Sequence, residues 1–233
     1  MDNKKNSPLL NLICNIVLPI IILTKFSKVA YLGPLYGLIA ALSIPLIYGL
    51  YELIILKHKN FISLIGFIGV LLSGVIGLLK FPPQWIAVKD AAIPLSIGII
   101  ILISTNTSWQ LLRKFLYNPE MLDIDQIESR LNTPDSKDKL NTLLKRANIF
   151  LSISFFFSAA LNFILARIIV HSMPGTTQFN EEIGRMTMLS FPVIALPSVG
   201  IMLLVFWYIL SSLKKMTQLS SNEIFSEKLR DKK

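Results

Sequence analysis

Six long apolar runs divide the chain, at 9–26, 29–56, 61–79, 86–104, 149–170 and 188–213, with polar segments between them. A helix needs about 20 apolar residues to cross the hydrocarbon core of a bilayer. Each run is close to that length, and the longer ones can span with tilt. The pattern predicts an all-α, polytopic integral membrane protein of about six transmembrane helices over 8–213. Run 29–56 has 28 residues and one formal charge, Glu52. Small residues recur in it at every fourth position: Gly33, Gly37 and Ala41, then Pro45 and Gly49. A four-residue step on a 3.6-residue helix drifts by roughly 40°, so Gly33, Gly37 and Ala41 share a face. Run 61–79 repeats the device with Gly69, Ser73 and Gly77. Lipid supplies little hydrophobic force between helices, so close approach of backbones over small residues has to hold them together. The second and third spans are expected to form a hairpin with these two faces opposed.

The breaks between runs are of different kinds. Lys25 to Lys28 and Lys57-His58-Lys59-Asn60 read as short turns, and Lys80-Phe-Pro-Pro-Gln-Trp85 ends a helix with two prolines. Pro19 is expected to kink the first span. Residues 171–187, with Pro174-Gly175, read as a loop. Segment 105–148 is long, polar and nearly neutral, with seven Lys/Arg against six Asp/Glu. Asn118-Pro119-Glu120 and Thr133-Pro134-Asp135 both carry helix-start chemistry: a capping side chain, a first-turn proline and an acid at the positive helix end. The first start leads into Ile124, Ile127 and Leu131. The second leads into Leu140, Leu143 and Leu144, in register to run straight into the fifth span. The tail, 214–233, is charged, and its pattern admits either a short helix or disorder.

Composition strengthens the membrane reading. Mean hydropathy is +0.60 and charged residues are 16%, below the ~25% of soluble domains. The net charge of +9 would suit nucleic acid, but these charges lie between apolar spans, where they set orientation. With six spans and the N-terminus inside, 17 of the 23 Lys and Arg fall on the inner side. Both termini and the 105–148 loop are therefore expected in the cytoplasm, and nucleic acid is not an expected partner. The opening MDNKKNSP before an apolar run imitates a signal peptide. Its run holds Asn11, Asn15 and Pro19 and lacks a small-residue cleavage site, so it reads as a retained first helix. Cys14 is the only cysteine, which leaves no internal disulfide.

Polar groups inside the runs are the candidates for chemistry. Asn11 and Asn15 share a face that is expected to look into the bundle. Glu52 lies near the inner end of its span, where it can pair with Lys57 or snorkel. Lys89 and Asp90 open the fourth span, Asn162 lies inside the fifth, and Arg167 is about a turn from the outer end of the fifth. The predicted topology puts Glu52 opposite Asp90 and Arg167, and His58 opposite His171. Gly74-Val-Ile-Gly77-Leu-Leu-Lys80 lacks the spacing and hydroxyl of a phosphate loop. No HExxH, GxSxG or CxxC occurs. The residues thus point to no enzyme, no cofactor and no metal site.

The order of segments resembles the intracellular septation protein A family of small bacterial inner-membrane proteins, over most of 8–212. Leu9-Leu-Asn-Leu-Ile-Cys-Asn-Ile-Val-Leu-Pro-Ile-Ile-Ile-Leu23 is similar to the family's opening apolar segment with its central proline. Gln84-Trp-Ile-Ala-Val-Lys-Asp90 is similar to its aromatic-basic entry into span four. Leu144-Lys-Arg-Ala-Asn148 and Phe155-Phe-Phe-Ser-Ala-Ala-Leu-Asn162 look like its basic-Leu-Asn start and its aromatic run ending in Leu-Asn. Ala147 stands where the family tends to have Leu, and the central loop is longer and more charged. The resemblance implies a non-enzymatic inner-membrane protein of cell-envelope maintenance, elongation or division. It would act through contacts with other membrane proteins or with itself. The alternative is a small transporter or channel that uses Asn15, Glu52, Lys89, Asp90, Asn162 and Arg167.

Overall fold

The computed structural model describes residues 8–54, 61–107 and 121–226, with the side chains at 8, 52, 53, 61–67 and 70 outside that set. The chain is helical nearly throughout. Its elements are α1 (Leu9–Phe26), α2 (Gly33–Ile54), α3 (Phe61–Leu78), α4 (Gln84–Ser104), α5 (Ile124–Arg130), α6 (Pro134–Ile169), α7 (Thr177–Ser190), α8 (Leu196–Thr217) and α9 (Ser221–Ile224). Five stretches are long and apolar enough to cross a membrane: α1, most of α2, α4, α6, and α7 continued into α8. The third apolar run, 61–79, forms α3, an uncharged helix of 18 residues. The protein is an all-α, multi-pass membrane protein whose apolar faces meet the bilayer.

Its contacts separate into two compact units, one of 1–93 with 159–195 and one of 94–158 with 196–233. In the first, α1 contains two π-helical turns, Ile13–Val17 and Ile22–Phe26, on either side of the buried Pro19. Proline has no N–H to offer the carbonyl four residues back, and a widened turn absorbs that defect. The chain then turns through 27–32, and α2 starts at Gly33, four residues later than the apolar run. Gly33 sits at φ +72°, a conformation that a side chain disfavours. Leu23 of α1 and Leu38 and Ala41 of α2 bury together, with Ile183 of α7 against them. Phe179 and Met186 of α7 join a second core with Ile76, Ile86 and Leu165.

Residues 177–187, expected as part of a loop, are therefore helical, in a helix that runs on to Ser190. Thr176 caps it, its Oγ1 accepting from the Phe179 N–H at 3.2 Å. The segment is too polar to read as a span, yet Phe179, Asn180, Gly184 and Met186 make a buried stripe. Such a stripe at helical spacing identifies an amphipathic helix. It continues through a π-helical turn, Phe191–Ala195, into α8.

The second unit has a core built largely from polar-looking sequence. Leu122, Ile127 and Leu131 pack on Leu140, Leu143, Leu144 and Ala147 of α6 and on Val205, Ile209 and Leu213 of α8. Asp123 caps α5 by accepting from the Gln126 N–H at 3.1 Å. Thr133 and Ser136 cap α6 reciprocally, each N–H donating to the other's hydroxyl at 3.2 Å. α6 then runs unbroken for 36 residues, so the second start does lead straight into the fifth span. The first start, Asn118-Pro119-Glu120, lies outside the described residues. The tail is folded as far as Ser226. Ser220 and Glu223 form a capping box around α9, and Phe225 pairs with Leu122 in an isolated antiparallel bridge. Leu219 and Ile224 are its buried anchors, so 214–226 joins the 121–147 segment instead of standing apart as a tail.

Candidate functional site

The most developed polar site lies in the second unit, between the C-terminal turn of α4 and the middle of α6. The last carbonyls of a helix have no intrahelical donor, and α4 ends at Ser104. Asn148 of α6, fully buried, supplies one: its Nδ2 donates to the Ile101 carbonyl at 2.7 Å and to Thr105 Oγ1 at 2.6 Å. The Ser104 hydroxyl also donates to the Ile101 carbonyl, at 2.7 Å. One turn along α6, the buried Ser152 donates to the Gly98 carbonyl at 2.9 Å. Gly98 is what lets the helices approach: a Cβ there would lie 2.7 Å from the Phe156 ring. Asn148 and Ser152 thus form a short polar zipper on an apolar helix.

The first unit has a corresponding clasp around α7. Asn180, fully buried, donates to the Pro34 carbonyl at 2.7 Å. Thr177 donates to the Ser27 carbonyl at 3.4 Å. Glu182 accepts from the His171 and Ser172 N–H groups at 2.9 Å each, and from the Ser172 hydroxyl at 2.7 Å. A carboxylate with three such donors is held rigidly, and its charge strengthens each bond.

The residues singled out from the sequence fall in several places. Gly37 and Ala41 are buried. The surface opposite Gly37 is Ser27, not α3: a Cβ on Gly37 would lie 2.8 Å from Ser27 Cα. Gly33 belongs to the turn, with nothing within 4 Å of an added Cβ. α2 and α3 do pack as neighbours, but by leucines on glycines. Gly77 receives Leu38, Gly74 receives Leu42, and Gly69 lies nearest Ile93 of α4. Ser73 donates to the Gly69 carbonyl at 3.0 Å within its own helix.

Asn15 donates to Asn11 Oδ1 at 2.8 Å with Asn11 exposed. The two amides answer each other along the helix, so that face need not look inward. Glu52 lies in α2 with its side chain outside the described residues, and Lys57 and His58 are outside them too. Lys89 and Asp90 form an ion pair with little exposure, and Asp90 Oδ2 is buried without a hydrogen bond. Asn162 is half-buried and Arg167 exposed. Among the described residues no group of three His, Cys, Asp or Glu comes together to hold a metal.

Sequence reasoning passed over Asn148 as chemistry, and also Ser152, Asn180 and Glu182. A signal for the first pair was present: Asn and Ser four residues apart on the helix that enters the fifth span share a face. No family model, curated protein or solved structure matches the chain. Fold and contacts together define the class: a multi-pass α-helical membrane protein whose buried polar side chains bond neighbouring segments of its own backbone.

Proposed function

We propose that this chain is a non-enzymatic protein of the bacterial inner membrane that supports envelope maintenance, elongation or division, as its resemblance to the septation protein A family implies. Both termini and segment 121–147 lie on the cytoplasmic side in this reading. It works by contact with other membrane proteins or a second copy of itself. The observation that carries it is the use made of the buried polar groups. Asn148, Ser152 and Asn180 all donate across helices and loops, which is what a scaffold requires and what a solvated transport path does not. The test is deletion of the gene from the source bacterium. Elongated, chained or osmotically fragile cells, restored by the wild-type gene, are expected. Cells that match the parent in length, division and resistance to osmotic shock overturn the reading.

A second reading, a small transporter or channel, is favoured by one observation. Asp90 Oδ2 is buried in an apolar helix without a hydrogen bond while Lys89 pairs with the other oxygen. A half-satisfied intramembrane carboxylate is a common device of ion and proton paths. Proteoliposomes decide this reading: cation or proton flux that Asp90→Asn abolishes supports it, and tight vesicles dismiss it.

A further inference from the structure

In the second unit α6 and α8 leave an open groove of about 310 Å³ lined by Phe150 and Ile153 of α6 and by Ile201, Leu204, Val205, Trp207 and Tyr208 of α8. The lining is almost entirely carbon. The two helices are read as antiparallel along it: Phe150 meets Tyr208 edge to face at 5.6 Å, and the earlier α6 residues Leu140, Leu143 and Leu144 share a core with the later α8 residues Ile209 and Leu213. Helical spacing then fixes what stands at the groove's end. Arg146 is one turn before Phe150 on the same face of α6. Lys215 is two turns beyond Tyr208 on the same face of α8, with the half-buried Ser211 and Ser212 between them. Lys145 and Lys214 flank the pair.

All four cations are exposed, and none forms an ion pair with a carboxylate among the described residues. Segment 105–148 as a whole is nearly neutral, so this concentration of charge is produced by folding. Trp and Tyr favour the depth where hydrocarbon gives way to headgroups. An apolar channel therefore ends, beside an aromatic pair, in unopposed positive charge and hydroxyls.

We propose that this groove is a binding site for an anionic phospholipid. One acyl chain lies along Phe150, Ile153, Leu204 and Tyr208, and the phosphate is held by Arg146 and Lys215. Arg suits a phosphate because its planar fork gives two parallel bonds, and basic pockets at the membrane surface between spans select anionic headgroups. The site is independent of the scaffold reading and stands or falls on its own measurement.

The test uses Trp207 as the reporter. The full chain with Trp85→Phe and Trp109→Phe is reconstituted in nanodiscs. Lipid brominated on the acyl chain, either phosphatidylglycerol or phosphatidylcholine, is added at equal mole fraction, and quenching of Trp207 is followed. The expected result is a preference for the anionic lipid of roughly fivefold or more, the effect of even one surface Lys or Arg. High salt should weaken it, and Arg146→Gln with Lys215→Gln should reduce it to the phosphatidylcholine level. The charge-keeping pair Arg146→Lys with Lys215→Arg should retain most of it, which separates lost charge from lost fold. Equal quenching by the two lipids overturns the proposal. So does an anionic preference that the glutamine pair leaves intact, because the headgroup would then sit elsewhere.

Discussion

Gly37 and Gly77 are both buried glycines in apolar helices, yet a methyl group added to each meets different neighbours. At Gly37 it runs into the backbone of the Ser27 turn; at Gly77 it meets the tip of Leu38, at 2.6 Å. A rotatable side-chain end yields and a packed backbone does not. Gly37→Ala should therefore cost about 1–3 kcal/mol, in the range of an overpacked core. Gly77→Ala should cost distinctly less, and Gly200→Ala, with nothing within 4 Å, should cost nothing. Thermal unfolding of the three variants in detergent gives the order; an equal loss at 37 and 77 would refute the distinction. Asn148→Leu removes the interhelical donor to the Ile101 carbonyl and to Thr105 Oγ1. Its expected loss is about 0.6–1.7 kcal/mol, the measured span for interhelical polar contacts in membranes. Ser152→Ala should lose less, because it gives up one bond. The four-residue spacing of small residues made the buried face of α2 readable. It could not say what lies opposite, because a small residue accepts a leucine as readily as another small residue.

Among the elements, α7 is held by its neighbours, through Phe179 and Met186 in the core and Asn180 on the Pro34 carbonyl. Glu182 ties it to the end of α6 through His171 and Ser172. Glu182→Ala leaves those two N–H groups without their acceptor, and hydrogen exchange at 171–172 should accelerate several-fold while α8 is unaffected. Unchanged exchange would show that the clasp is dispensable. The final turn of the chain presents the reciprocal case. Leu219 and Ile224 fill the core around Leu122 and Ile127, so a chain ended after Thr217 should lose protease resistance across 121–131. Both elements were hard to read in advance for the same reason. Their buried apolar residues are few, Phe179 and Met186 in α7 and Leu219 and Ile224 in the tail, and only a partner surface turns so few into a stable face.

On the scale of the whole molecule, α6 has 36 residues, which at 1.5 Å each gives a rod of ~54 Å against a hydrocarbon core of ~30 Å. Its polar first half must project from the bilayer. With Cys14→Ala as background, single cysteines at Ser136 and Ser221 should label from one side of sealed vesicles and one at Thr177 from the other. Labelling of Ser136 and Thr177 from the same side would remove α6 as a span. The proposed orientation adds that the first side is cytoplasmic. What the sequence determined by itself was the all-helical, many-span architecture, the breaks at Lys80–Trp85 and Thr133–Asp135, and the continuity of α6. Those follow from local rules: transfer of apolar runs from water, and the capping needs of helix ends. Only the tertiary structure decided that 177–190 is a helix, that the tail folds onto 121–131, and that Asn148 closes the end of α4. These outcomes depend on which surfaces meet. The Ile101 carbonyl at the end of α4 and an amide 47 residues away carry no shared mark in the sequence until packing brings them within bonding distance.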